Sequence, residues 1–312
     1  MPRLKTQAAK ESLLRRVRKQ RLKYITILPS LITILNGVCG FGAIVFASKG
    51  PTASLGQFPY LAIAGYMILL AMIADMLDGR VARMSRSTSS FGGQLDSLCD
   101  IISFGVAPAF LMLKVLEYKL SGFASLNATL ENFLQRFVWL AAAAYISCAA
   151  IRLARFNVEN EEDESAHMSF IGLPTPAAAG VIVSLIIFHQ EALPELSDEH
   201  TRTYLICEKA IMYLLPFIVL GVAVLMVSRI RYPHILNQYI KGKKPFAHFI
   251  RALLGLGLII WSRQAALVLI FCGFAASGFT KWFYYKVLGR YFVRNRKIVA
   301  PQQGQSCSTN LT

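Results

Sequence analysis

Asp75, Asp78, Asp96 and Asp100 stand in or at the edges of long apolar runs. An ionised side chain there costs about 3 kcal/mol or more near a bilayer centre, so such residues need a purpose. Asp75 and Asp78 are three apart and share one helix face; Asp96 and Asp100, four apart, share another. Between the pairs lie Arg80, Arg83, Arg86 and the cluster Ser87, Thr88, Ser89 and Ser90, a composition suited to a turn. The two helices are therefore expected to be antiparallel neighbours, with all four carboxylates near one end. Like charges gathered in this way disfavour one another's charged form. Divalent cations relieve that conflict: hard oxygen ligands suit Mg²⁺ or Mn²⁺, and four negative charges suit two such ions. A two-metal site of this kind is a clamp for phosphoryl transfer.

The residues around the aspartates suit a nucleotide phosphate. Gly79 and Ala82, with Gly92 and Gly93 across the turn, remove side chains where a ligand would approach the backbone. Arg83, one turn beyond Gly79, is placed for a charge-assisted bond to a diphosphate. Other metal chemistry lacks its spacing: the five histidines form no HExxH and the six cysteines no CxxC pair.

The elements that must position these groups are membrane spans. Apolar residues make up 55% of the 312 and charged residues 16%, against roughly a quarter charged in soluble domains; the mean hydropathy is +0.48. The apolar residues gather into runs of about twenty, the length that crosses a bilayer core. We read spans at about 27–48, 59–77, 91–117, 133–156, 174–189 and 209–228. The stretch from about 249 to 283 is too long for one crossing and is interrupted at Ser262, Arg263 and Gln264. Basic flanks on both sides favour a hairpin turning at Arg263, giving eight helices, with seven the alternative. The expected fold class is thus an all-α polytopic membrane protein. Its expected divisions are a basic N-terminal arm (1–26) that is an amphipathic surface helix or a solvated tail, a six-helix catalytic domain (27–228), a basic loop and C-terminal hairpin (229–300), and a polar, disordered tail (301–312).

The formal charge of +16 has a membrane explanation. The N-terminal arm, the Arg80/Arg83/Arg86 turn, Arg152 with Arg155, and the stretch from Arg229 to Lys244 all fall on one side if six helices alternate. The positive-inside rule makes that side cytoplasmic, and anionic headgroups a partner for it. Nucleic acid is not an expected partner, since no aromatic platform accompanies the charge.

Asp75-x2-Asp78-Gly79-x2-Ala82-Arg83-x8-Gly92-x3-Asp96-x3-Asp100 resembles, position for position, the signature of the CDP-alcohol phosphotransferase family. Within the family, Asp96 to Pro108, Arg152-Leu-Ala-Arg-Phe-Asn157, Phe170 to Pro176 and Pro29 to Gly40 resemble the membrane-embedded bacterial branch that uses serine. The likeness spans about residues 27–228. It implies six core helices around a polar, metal-containing cavity open to the cytoplasm, in a homodimer of the inner membrane. It also implies transfer of the phosphatidyl group from CDP-diacylglycerol to the hydroxyl of L-serine, giving phosphatidylserine and CMP. Carried over residue by residue, Asp75, Asp78, Asp96 and Asp100 would hold two divalent cations (Mg²⁺ or Mn²⁺), and Asp100 would also be the general base. Gly79, Ala82, Arg83 and Gly92 would line the cytidine diphosphate site. Serine's carboxylate needs a cation, for which Arg152 and Arg155 are the candidates with Asn157 beside them; both arginines as positive-inside anchors is the alternative. Gly172 to Pro176 reads as a tight loop capping the fifth helix.

Two other functions remain open at this point. A sister enzyme would keep the four aspartates and take glycerol phosphate or inositol phosphate as acceptor. A membrane cation transporter would use intramembrane carboxylates to bind its ion, although an ion pathway has no reason to contain Gly79-x2-Ala82-Arg83.

Overall fold

In lipid every backbone polar group must be satisfied within the protein, which leaves helices as the economical way for apolar runs of this length to cross. A computed structural model describes residues 30–50, 54–56, 58–85, 90–122, 128–162, 172–196, 201–230, 232 and 262–298. It is all-α apart from a two-residue antiparallel pairing of β1 (Ser54–Leu55) with β2 (Phe58–Pro59) in the first loop. The helices are α1 (Ser30–Ser48), α2 (Tyr60–Ser85), α3 (Ser90–Asp100), α4 (Ala107–Gly122), α5 (Ala128–Glu162), α6 (Thr175–Ile187), α7 (Leu193–Leu196), α8 (Thr201–Val227) and α9 (Arg263–Ile298). A π-turn over Ile101–Val106 joins α3 to α4, and a second over Phe188–Ala192 joins α6 to α7.

Among the described residues seven helical stretches are long and apolar enough to cross a membrane, the last of them Arg263–Thr280. The six core spans fall where the hydropathy places them. The helices themselves run further than the apolar stretches, α2 continuing past Leu77 to Ser85. The expected break at Arg263 is the start of α9. That helix is 36 residues long, about twice the expected second arm of the hairpin. The first arm, the N-terminal arm and the tail after Pro301 lie outside the described residues.

α6 is the middle of the bundle: ten of its thirteen residues are buried, and it packs against α2, α4, α8 and α9. Much of the core is alanine, including Ala43, Ala64, Ala71, Ala109, Ala142 and Ala178. Small residues let helix backbones approach where lipid provides no hydrophobic drive toward association. Other large apolar side chains face outward, as Phe41, Leu70, Trp139, Phe217 and Leu269 do, onto what would be acyl chains.

The first π-turn has a local cause. Pro108 has no N–H to give the carbonyl of Phe104 four residues back. The buried Tyr145 hydroxyl donates to that carbonyl instead, at 2.9 Å, and the Ala107 N–H reaches back five residues to Ile102. Ser103 within the turn donates to the Asn36 carbonyl of α1 at 2.8 Å. The turn can come this close because Gly40 faces it: a Cβ on Gly40 would lie 2.6 Å from the Ser103 Cα.

The loop before α6 is tight, as its sequence suggests. Gly172 has φ of +85°, and its N–H bonds the Ile230 carbonyl at 2.8 Å while that of Leu173 bonds Leu225 at 3.1 Å. Pro176 then sits in the first turn of α6, where a missing N–H costs nothing. At the other end of the bundle, Glu191 accepts from Tyr66 at 2.7 Å and from Gln264 at 2.9 Å. That carboxylate fastens α9 to the core.

Candidate active site

Three helices converge on the aspartates. α2 brings Asp75 and Asp78, α3 brings Asp96 and Asp100, and α1 supplies neutral polar groups to both pairs. Asp75, Asp78 and Asp96 each offer a carboxylate oxygen within 4.8 Å of the others. Asp78 is buried and Asp75 and Asp96 are half-buried. Asp100, also buried, stands beside this trio and interacts with its charges.

These residues suit a divalent cation by their own chemistry. The donors are hard carboxylate oxygens. One oxygen of Asp78 (Oδ2) and one of Asp96 (Oδ1) are buried without a hydrogen-bond partner among the described residues. A buried acceptor is rarely left unmet unless something occupies it, and a cation held between the carboxylates would meet both. Repulsion among the carboxylates calls for the same remedy.

α1 carries residues whose roles sequence reasoning did not assign. The Thr33 hydroxyl donates to Asp78, and Asn36 Nδ2 donates to Asp100 Oδ1 at 2.9 Å. Thr33 and Asn36 are three apart on one face, both buried, and Gly40 one turn further on holds that face against the π-turn. The signal was present in the sequence, since two polar residues at helical spacing inside an apolar span are the same oddity that drew attention to the aspartates.

Among the residues expected at the nucleotide, Gly79 is exposed, and a Cβ there would meet nothing within 4 Å. Gly93 is likewise open, so both leave room for a ligand against the backbone. Gly92 is half-buried in the first turn of α3. Ala82 and Arg83 lie in the last turns of α2, with their side chains outside the described residues.

The residues expected at the acceptor separate. Arg152 is half-buried; its Nη1 donates to the buried Thr175 at 2.9 Å, and its charge interacts with that of Asp100. Arg155, three residues further along α5, is exposed. Asn157 Nδ2 donates to Ser97 at 2.9 Å, which ties α5 to α3. Both residues border a groove of about 400 Å³ lined mainly by Leu98, Ile101, Ala150 and Leu153. The structure thus places Arg152 with Asp100, and Asn157 at the groove.

The sequence profile of the CDP-alcohol phosphatidyltransferase family matches residues 26–223, well over half of the chain and all of the helices that carry these groups. The chain belongs to that family. Among relatives, a protein of Helicobacter pylori named CDP-diacylglycerol–serine O-phosphatidyltransferase is 33% identical over 261 residues, covering 84% of this chain and 93% of its own. One of the same name from Methanocaldococcus jannaschii is 32% identical over 216 residues, 69% of this chain and 78% of its own. A third, from Saccharomyces cerevisiae, is 35% identical over 159 residues, about half of each chain. The family match ends before α9, as the resemblance read from the aspartate signature does. In this CDP-alcohol phosphatidyltransferase the acidic trio is the feature that would hold a divalent cation.

Proposed function

We propose that the protein transfers the phosphatidyl group of CDP-diacylglycerol to the hydroxyl of L-serine, forming phosphatidylserine and releasing CMP. The observation that carries this reading is the meeting of the acidic trio with Asp100, in a chain similar over most of its length to serine O-phosphatidyltransferases. Asp75, Asp78, Asp96 and Asp100 would hold two divalent cations, Mg²⁺ or Mn²⁺, which when bound supply positive charge against the diphosphate and the departing CMP.

Within that frame the chain's own groups account for the remaining steps. Asp100 has one oxygen engaged by Asn36, which leaves the other to take the proton from the serine hydroxyl. The serine oxygen forms its bond to the phosphorus that carries diacylglycerol. The bond from that phosphorus to the CMP oxygen breaks, and CMP leaves with the electron pair. Gly79 and Gly92, with Ala82 and Arg83, receive the cytidine diphosphate. Arg152 is the cation best placed for serine's carboxylate, being the arginine that faces Asp100.

The lysine and arginine distribution supports a cytoplasmic N-terminus and an active site opening to the cytoplasm, which is the compartment of serine and CMP. Placement in the inner membrane, a homodimer, and a catalytic unit over 27–228 with the C-terminal segment as an addition belong to the same reading.

The test is CMP release from CDP-diacylglycerol with serine as sole acceptor, in the presence of Mg²⁺ or Mn²⁺. Asp100→Asn is expected to abolish turnover while largely sparing CDP-lipid binding. Wild-type-like CMP release from that variant refutes the base assignment, and release to glycerol phosphate but not to serine refutes the acceptor.

A further inference from the structure

Two buried atoms beside Asp100 lack hydrogen-bond partners among the described residues, and they are of opposite kinds. One is Asn36 Oδ1, an acceptor; the other is Arg152 Nε, a donor. Asn36 is fully buried, and Asp100 sets the orientation of its amide: an ionised carboxylate only accepts, so the NH₂ must face it, as it does at 2.9 Å. The amide oxygen is thereby turned away from Asp100, and it is buried as well. The guanidinium of Arg152 is oriented by its bond from Nη1 to Thr175. That bond leaves the edge carrying Nε, the edge that engages a carboxylate side-on.

Buried polar groups are normally met, and an unmet one calls for an explanation. An acceptor and a donor, both next to the base, complement a small molecule with a cationic donor at one end and an anionic acceptor at the other. We propose that Asn36 reads the α-ammonium of serine: the ammonium donates to Asn36 Oδ1, the carboxylate lies on the Nε edge of Arg152, and the hydroxyl faces Asp100. This assignment rests on the serine-transfer reading and deepens it. It also states how the site refuses other acceptors. A phosphate-bearing alcohol brings oxygens and no cation to Asn36 Oδ1, where two acceptors would face each other.

One residue thereby does two tasks, aligning the base through Nδ2 and selecting the acceptor through Oδ1. The experiment separates them by using ratios between acceptors, because loss of base alignment slows every acceptor alike. CMP release is measured for the full chain with CDP-diacylglycerol and either L-serine or 3-hydroxypropanoate, which is serine without its amino group. The unaltered protein is expected to favour serine in kcat/KM by at least about tenfold, the least that a hydrogen bond to a charged group is worth. Asn36→Leu, which keeps the shape and removes both polar atoms, is expected to bring that preference to within about threefold while the KM for CDP-lipid stays put. Asn36→Ser, which retains a small hydroxyl, is expected to keep part of it and guards against a leucine variant that does not fold.

A serine preference undiminished from that of the unaltered protein in either active variant overturns the assignment. So does a shift in the Mn²⁺ concentration for half activation with the preference intact, since Asn36 would then belong to the metal. Equal use of both acceptors by the unaltered protein overturns it without any substitution. Failure of serine itself, with CMP released to glycerol phosphate, sinks the serine reading and this assignment with it; it is told apart because it appears before any residue is changed.

Discussion

Gly40→Ala tests whether α1 is a working part of the site or only a wall of the bundle. An alanine Cβ there would lie 2.6 Å from the Ser103 Cα, whereas carbon atoms rest at about 3.5–4.0 Å. The obstacle is backbone, so α1 and the π-turn must part by about 1 Å. The bond from Asn36 to Asp100 is 2.9 Å and that from Ser103 to Asn36 is 2.8 Å. Adding about 1 Å takes both beyond the roughly 3.2 Å at which N–H···O bonds end.

Stability is the weaker readout of this change. Overpacking costs about 1–3 kcal/mol, but alanine is favoured over glycine in a helix by about 1 kcal/mol, so the two partly cancel. Turnover has no such offset, because a displacement of about 1 Å at a reacting group costs on the order of a hundredfold. Gly42→Ala supplies the control: it makes the same substitution in the same helix, but its Cβ would meet the tip of Met67 at 3.0 Å. A methionine end can swing aside by a few tenths of an ångström. CMP release at saturating CDP-diacylglycerol and serine should therefore fall at least about tenfold for Gly40→Ala and stay near wild type for Gly42→Ala. Two variants of equal activity would refute the argument, as would the larger loss at Gly42.

Two more outcomes follow from named bonds. Tyr145→Phe removes the hydroxyl that serves the Phe104 carbonyl and leaves it unmet in a buried site, so unfolding in detergent should cost about 1–2 kcal/mol less; an unchanged unfolding temperature would mean that the π-turn needs no such support. Arg152→Lys keeps the charge and loses the fork, so the KM for serine should rise about tenfold or more with the KM for CDP-lipid unchanged. Arg155→Lys, at an exposed position, should leave serine's KM within about twofold; a larger effect there would reverse the choice between the two arginines.

The spans and the acidic half of the site were legible for one reason: both are expensive features in lipid. A run of twenty apolar residues has few uses besides crossing a bilayer, and four aspartates at its edges have few uses besides charge chemistry. What was not legible is the backbone between them. Nothing in the composition of Ile101 to Val106 separates a π-turn from an α-helix, and its cause lies partly at Tyr145, about forty residues away in the sequence and on another helix. Helix ends were read short for a related reason. Hydropathy reports where the lipid stops, whereas α2 goes on hydrogen-bonding itself through Arg80 and Arg83 to Ser85.

The neutral groups beside the aspartates were hidden by chemistry of the opposite kind. Threonine and asparagine cost far less than aspartate inside a membrane, so Thr33 and Asn36 raise no alarm as single residues. Their meaning comes from depth and neighbour: each is buried, and each donates to one member of an aspartate pair from a third helix. A site divided in this way would leave the aspartates to the displacement of CMP. On the proposed assignment, choice of alcohol would fall to neutral groups and to one arginine, which could change without disturbing the balance of charge among the aspartates. On that division, a substitution at Asn36 or Arg152 should alter which alcohol is used, while one at Asp75, Asp78 or Asp96 should alter whether any is.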